Sequence, residues 1–95
     1  MTEVRIQNLG FTEHAITVVF DNNQSIEIPL GYFPRLCHGT VEEQNQWQLI
    51  GDGLGVHWES LDEDLSIENF LLAYSKSKSP LLANHNQAPT PTKLP

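Results

Sequence analysis

The chain has 95 residues, 39% of them hydrophobic, with 12 acidic side chains, five basic ones and a formal net charge of −7. That length suits one small domain with a modest core, and that charge disfavours a phosphate backbone, which is bound by clustered Lys and Arg. One cysteine, Cys37, excludes an internal disulfide and suits a reducing cytoplasm; no signal-peptide core is expected at the N-terminus, and no run approaches the roughly 20 apolar residues of a membrane span.

Glu3 to Gln7 alternates polar and apolar residues, which predicts a first strand ended by Asn8-Leu9-Gly10. His14 to Phe20 reads as the strongest strand. Ile16, Val18 and Phe20 face one side, and Ala15, Thr17 and Val19 give the other side some apolar character, as a central strand requires. Asp21 to Gln24 forms a hairpin connection. Ser25 to Leu30 returns as a third strand, with Pro29 indicating an edge or a strand end.

Pro34 suits the first turn of a short helix, where its missing N–H costs nothing, and Gly39 reads as the stop after it. Thr40 and Glu43 match a capping box that opens a second short helix. Leu36, Cys37 and Val41 are expected to pack on the sheet. Trp47 to Ile50 and Leu54 to Trp58 form an antiparallel pair around Gly51-Asp52-Gly53. Asp62-Glu63-Asp64 reads as an acidic connector. Ser66 follows as N-cap of a closing helix, with Leu65 and Phe70 as a hydrophobic staple and Ile67, Phe70, Leu71 and Tyr74 as its buried stripe. Carboxylates there favour the helix dipole by roughly 0.3–1 kcal/mol per exposed group. From Ser75 onward Ser, Pro, Asn and Thr dominate, which predicts a disordered tail over 75–95 behind a single domain over 1–74.

The residues Pro34-Arg35-Leu36, the acidic pair after Thr40, Trp47, and above all Gly55-Val56-His57-Trp58-Glu59-Ser60-Leu61-Asp62-Glu63-Asp64-Leu65-Ser66 carry a resemblance. The chain resembles the bacterial and phage family known as the domain of unknown function numbered 2442, over roughly residues 1–74. Val41 and Gln44 depart from the family pattern, standing where many relatives have Pro and Arg. The resemblance implies a small α+β domain without an established activity. It also implies a partner-binding role, because many relatives are encoded beside a second small family in a toxin–antitoxin-like arrangement. Some relatives carry a helix-turn-helix domain; none is expected after residue 74 here.

Each candidate site has a plain alternative. His57 with Asp62, Glu63 and Asp64 offers imidazole and carboxylate to a metal. The run fails the EF-hand pattern, however, with Ile67 where Gly is needed, and no HxH, HExxH or Cys pair adds ligands. Cys37 and His38 are adjacent on a helix and point about 100° apart, so they make a poor nucleophile and base; Cys37 reads as a small buried residue. Trp47 and Trp58 read as core, with Trp58 also suited to an interface. Arg35 suits an ion pair with Asp62 or Asp64 that ties the first helix to the connector.

The expected fold is therefore α+β: a largely antiparallel five-stranded sheet with short helices on one face, in the order β-β-β-α-(α)-β-β-α. The expected function is a non-enzymatic protein-binding module, antitoxin-like, that meets a small basic protein through Arg35, Trp58, Glu59, Asp62, Glu63 and Asp64. No cofactor, nucleic acid or membrane is expected, and a homo-oligomer is compatible with the small core. The alternatives are a DNA-binding autoregulator, which needs a basic stripe, and a metal-dependent enzyme built on His57 and the acidic run.

Overall fold

Alternating apolar residues set the first half of the molecule. In the computed structural model, which describes residues 3–78, β2 (Ala15–Phe20) lies between β1 (Ile6–Phe11) and β3 (Ser25–Pro29) in an antiparallel sheet. Ile16, Val18 and Phe20 turn their side chains into the core, with Ile16 and Val18 fully enclosed. The β2–β3 hairpin closes through Asn23, whose φ of 72° places it in the left-handed region that Asn tolerates. Pro29 ends β3, an edge strand, where no ladder hydrogen bond is lost.

β1 runs further than the alternation over Glu3–Gln7 predicts. It passes through Asn8-Leu9-Gly10 because a bulge takes up one residue: Ile6 pairs with Phe20, but Asn8 pairs with Val19. The Asn8 side chain accepts a hydrogen bond from the Leu9 amide at 2.9 Å, and Leu9 is buried. The bulge resets the pleat so that Ile6 and Leu9 both face inward.

A 3-10 turn at Leu30–Tyr32 leads to α1 (Pro34–Cys37) and α2 (Val41–Gln44). The expected capping box is present: the Thr40 hydroxyl accepts from the Glu43 amide at 3.0 Å, and the Glu43 carboxylate accepts from the Thr40 amide at 2.9 Å. Gly39 follows α1 and leaves room for Leu61; a Cβ there would lie 3.0 Å from Leu61 Cδ1. Only Leu36 of the three expected core residues is buried. Cys37 is exposed and Val41 is 74% exposed, which corrects the reading of both as packed on the sheet. Helices of one turn present a single residue inward, and Leu36 takes that place.

The second half holds the main correction. β4 (Trp47–Ile50), β5 (Gly55–Trp58) and β6 (Glu63–Ser66) form a second three-stranded antiparallel sheet. The single five-stranded sheet is thus replaced by two sheets and six strands. Of the acidic stretch read as a connector, Glu63 and Asp64 belong to a strand and Asp62 to the loop before it. Asp and Glu disfavour strands intrinsically, but at an edge their side chains stay in water while the backbone pairs with β5. Ser66 ends β6 and caps α3 (Ile67–Lys78): its hydroxyl accepts from the Asn69 amide at 3.2 Å, and Asn69 reaches back to the Ser66 amide at 2.8 Å.

One core joins the two sheets. Val56 and Trp58 of β5, Ile67, Phe70 and Ala73 of α3, Phe33 and Leu36 pack with the inward residues of the first sheet. The Phe33 and Phe70 rings meet edge to face with centroids 5.5 Å apart. α3 continues to Lys78, so residues 75–78, expected in the tail, are helical; residues 79–95 lie outside the described residues.

Candidate functional site

The β5–β6 hairpin positions the residues of interest. Its loop, Glu59 to Asp62, closes with the Asp62 amide donating to the Glu59 carbonyl at 3.3 Å, and Asp62 adopts a φ of 52°. The register sets Trp58 opposite Glu63 and His57 opposite Asp64. Successive residues point to opposite faces. Trp58 therefore faces the core and His57 faces solvent.

On the solvent face, His57 sits between two carboxylates. Its Nδ1 meets Asp64 Oδ1, and its Nε2 lies 2.8 Å from Glu59 Oε1. The ring is 28% exposed, while the Glu59 and Asp64 side chains are 90% and 68% exposed. Hydrogen bonds to Glu59 and then Asp64 favour the imidazolium and raise the His57 pKa above its ordinary value; partial desolvation opposes them. Both ring nitrogens are thus engaged. Among the described residues, no group of three or more His, Cys, Asp or Glu side chains is arranged to hold a metal ion.

Trp58 is fully buried and its indole N–H donates to the Gln44 carbonyl at 2.9 Å. It presents no surface to a partner, which corrects its place among the candidate binding residues: the polar end of the ring finds its acceptor inside. Trp47 lies directly opposite it across β4 and β5. The remaining five candidates, Arg35, Glu59, Asp62, Glu63 and Asp64, lie on or against the hairpin. Arg35 pairs with Asp62, one of the two partners expected for it. Its Nη1 donates to the Asp62 carbonyl at 2.7 Å and lies 3.6 Å from the carboxylate, so the backbone carbonyl is the nearer acceptor.

Sequence reasoning missed three features. The first is the Glu59–His57 pair: Glu59 lies two residues past His57, just beyond the end of β5, and a strand extended by one residue puts the two on one face. Gln44 is buried and its side-chain amide donates to the Leu36 carbonyl at 2.8 Å; a polar residue in an apparently exposed helix gives no signal of this. The third is a groove of about 370 Å³ between β6, the Tyr32–Pro34 segment and α3. It exists only once the acidic stretch is a strand with a free edge.

The model of the family described as "Protein of unknown function (DUF2442)" matches residues 6–76, and the chain belongs to that family. No curated protein matches it. Among solved structures, a protein of unknown function from Rhodospirillum rubrum ATCC 11170 superposes with a TM-score of 0.65 at 23% identity, covering 75% of this chain and 88% of that one. An uncharacterised protein from Chromobacterium violaceum, solved by solution NMR, gives 0.63 at 22% identity, covering 90% and 79%. These likenesses establish the fold.

Proposed function

We propose that this chain is a protein-binding module whose β5–β6 hairpin meets a basic partner. One observation carries the reading: the hairpin gathers Glu59, Asp62, Glu63 and Asp64 within six residues of chain, against Arg35 and His57 as their paired cations. The Glu59 and Asp62 side chains stay at least 90% exposed even while paired. Carboxylates held this openly keep most of their field in water and attract a complementary surface by steering. The cytoplasm is the compartment this reading assigns, and an antitoxin-like role in a two-protein system is its specific form.

The test is capture from the native host followed by reconstitution. Tagged chain, washed at about 50 mM salt and eluted at about 500 mM, should release a small basic protein, because screening weakens exposed pairs over that range. The purified pair should then re-form a complex of defined stoichiometry. Recovery of no basic protein, or of a complex indifferent to salt, would remove the reading.

A further inference from the structure

We propose that the groove beside β6 takes an extended, lysine- or arginine-bearing segment of the partner, which adds as a short strand to the free edge of β6. The inference rests on the protein-binding reading above and names the shape of what is bound.

The backbone pattern comes first. The Ile67 amide donates to the Leu54 carbonyl at 3.0 Å, in register with the β5–β6 ladder. Hydrogen-bonded pairs alternate in an antiparallel ladder. Leu65 and Glu63 therefore bond to β5, while Asp64 and Ser66 direct their backbone groups to the outer edge, as does the Asp62 carbonyl in the loop before them. At one end Arg35 covers the Asp62 carbonyl; at the other the Asn69 side chain covers the Ser66 amide. Asp64 remains between them. Among the described residues, no side chain or loop hydrogen-bonds its outward N–H and C=O. A sheet edge with an open rung between two capped ones admits one residue of an incoming strand.

The groove supplies the rest of the recognition. Glu63 and Asp64 line it from opposite faces of β6, Asp64 on the solvent face with His57 and Glu63 on the face of Trp58, and Tyr32 and Leu72, 40% and 58% exposed, add apolar surface to the lining. Lys76 stands among the lining residues from the last turns of α3. An incoming strand alternates its side chains between two faces. A segment alternating basic and apolar residues therefore meets the Asp64 carboxylate with its solvent-side face and the Tyr32–Leu72 surface with the other. Charge complementarity on a chain of net charge −7 selects a basic segment over an acidic one.

The test titrates the full 15N-labelled chain with a blocked heptapeptide, Lys-Leu-Lys-Val-Lys-Leu-Lys. Amide shifts should concentrate at residues 63–65, at Tyr32 and Phe33, and at 69–76. A copy of the peptide with N-methylated backbone amides keeps its charge but loses its donors, and should bind about tenfold more weakly or worse. Leu72→Lys, on an exposed position, should lose a similar factor without changing the fold. Equal binding of the methylated copy, or shifts spread over carboxylates far from β6 such as Glu13 and Glu27, would overturn the proposal. If the natural complex forms, is salt-sensitive and survives Leu72→Lys, the groove assignment fails while the acidic-hairpin reading stands.

Discussion

His57 and Gln44 show how single side chains are held here. The two carboxylates beside His57 raise its pKa in the folded state above the ordinary value of about 6.5. A raised folded value means that the folded state binds the proton more tightly. The stabilisation is fully present below about pH 6.5 and is lost as pH rises through the folded-state value. The difference in urea midpoint between wild type and His57→Asn should therefore shrink between about pH 6 and pH 9, and NMR titration should place the His57 midpoint above about 6.5. A difference that grows with pH would contradict the geometry. Gln44 is a different case, because its amide is buried. Gln44→Ala removes one of two donors to the Leu36 carbonyl, which keeps the Gly39 amide at 3.1 Å, and should cost about 0.5–1.5 kcal/mol in equilibrium unfolding. Its backbone carbonyl still accepts from Trp58, so tryptophan fluorescence of the folded state should change little.

At the scale of elements, turns and edges carry the specificity. The β4–β5 connection places Gly51, Asp52 and Gly53 in succession at φ of 58°, 61° and 90°. The two glycines differ in surroundings. A Cβ at Gly53 would lie 2.9 Å from the Ile6 carbonyl oxygen, whereas at Gly51 the nearest atom is 3.7 Å away. Gly53→Ala should thus cost more than about 2 kcal/mol, and Gly51→Ala about 1 kcal/mol from backbone conformation alone. Equal costs would show that the close approach of β1 is relieved elsewhere. Arg35→Ala releases α1 from the hairpin, but the side chain is 58% exposed, so the loss should be about 0.5–1 kcal/mol with weak salt dependence. The elements legible in the sequence were those with local signals: β2 from its alternation, α2 from its capping box, β4 from its tryptophan-led run. β6 was not legible, because its residues disfavour strands and only pairing with β5 makes them one. The β1 bulge was hidden for a related reason, since Asn8 and Gly10 read as a break until Leu9 is seen to need the core.

For the whole molecule, the order of elements was readable except for β6, and their division into two sheets was not. Strand order says nothing about whether β3 and β4 pair, and here α1 and α2 carry the chain from one sheet to the other. The candidate site was partly legible. The acidic cluster and an Arg35 tie to Asp62 or Asp64 were readable from charge and spacing, and the structure chose Asp62; Trp58 had two plausible places and burial decided between them. The family and the structural likenesses agree on the architecture over most of the chain. The proposed function rests on charge: an acidic hairpin on an acidic molecule, beside a groove with an open strand edge.

The most direct measurement is the affinity of the purified partner for wild type and for a Glu59→Gln, Asp62→Asn, Asp64→Asn triple variant, each across a salt series. The substitutions keep size and remove charge, and circular dichroism checks that the fold is retained. If the hairpin carboxylates are the recognition surface, wild-type affinity falls steeply with salt and the variant binds at least about tenfold more weakly with a shallower slope. Equal affinity and equal slope for the two proteins would show that the carboxylates only shape the hairpin and that the partner is met elsewhere.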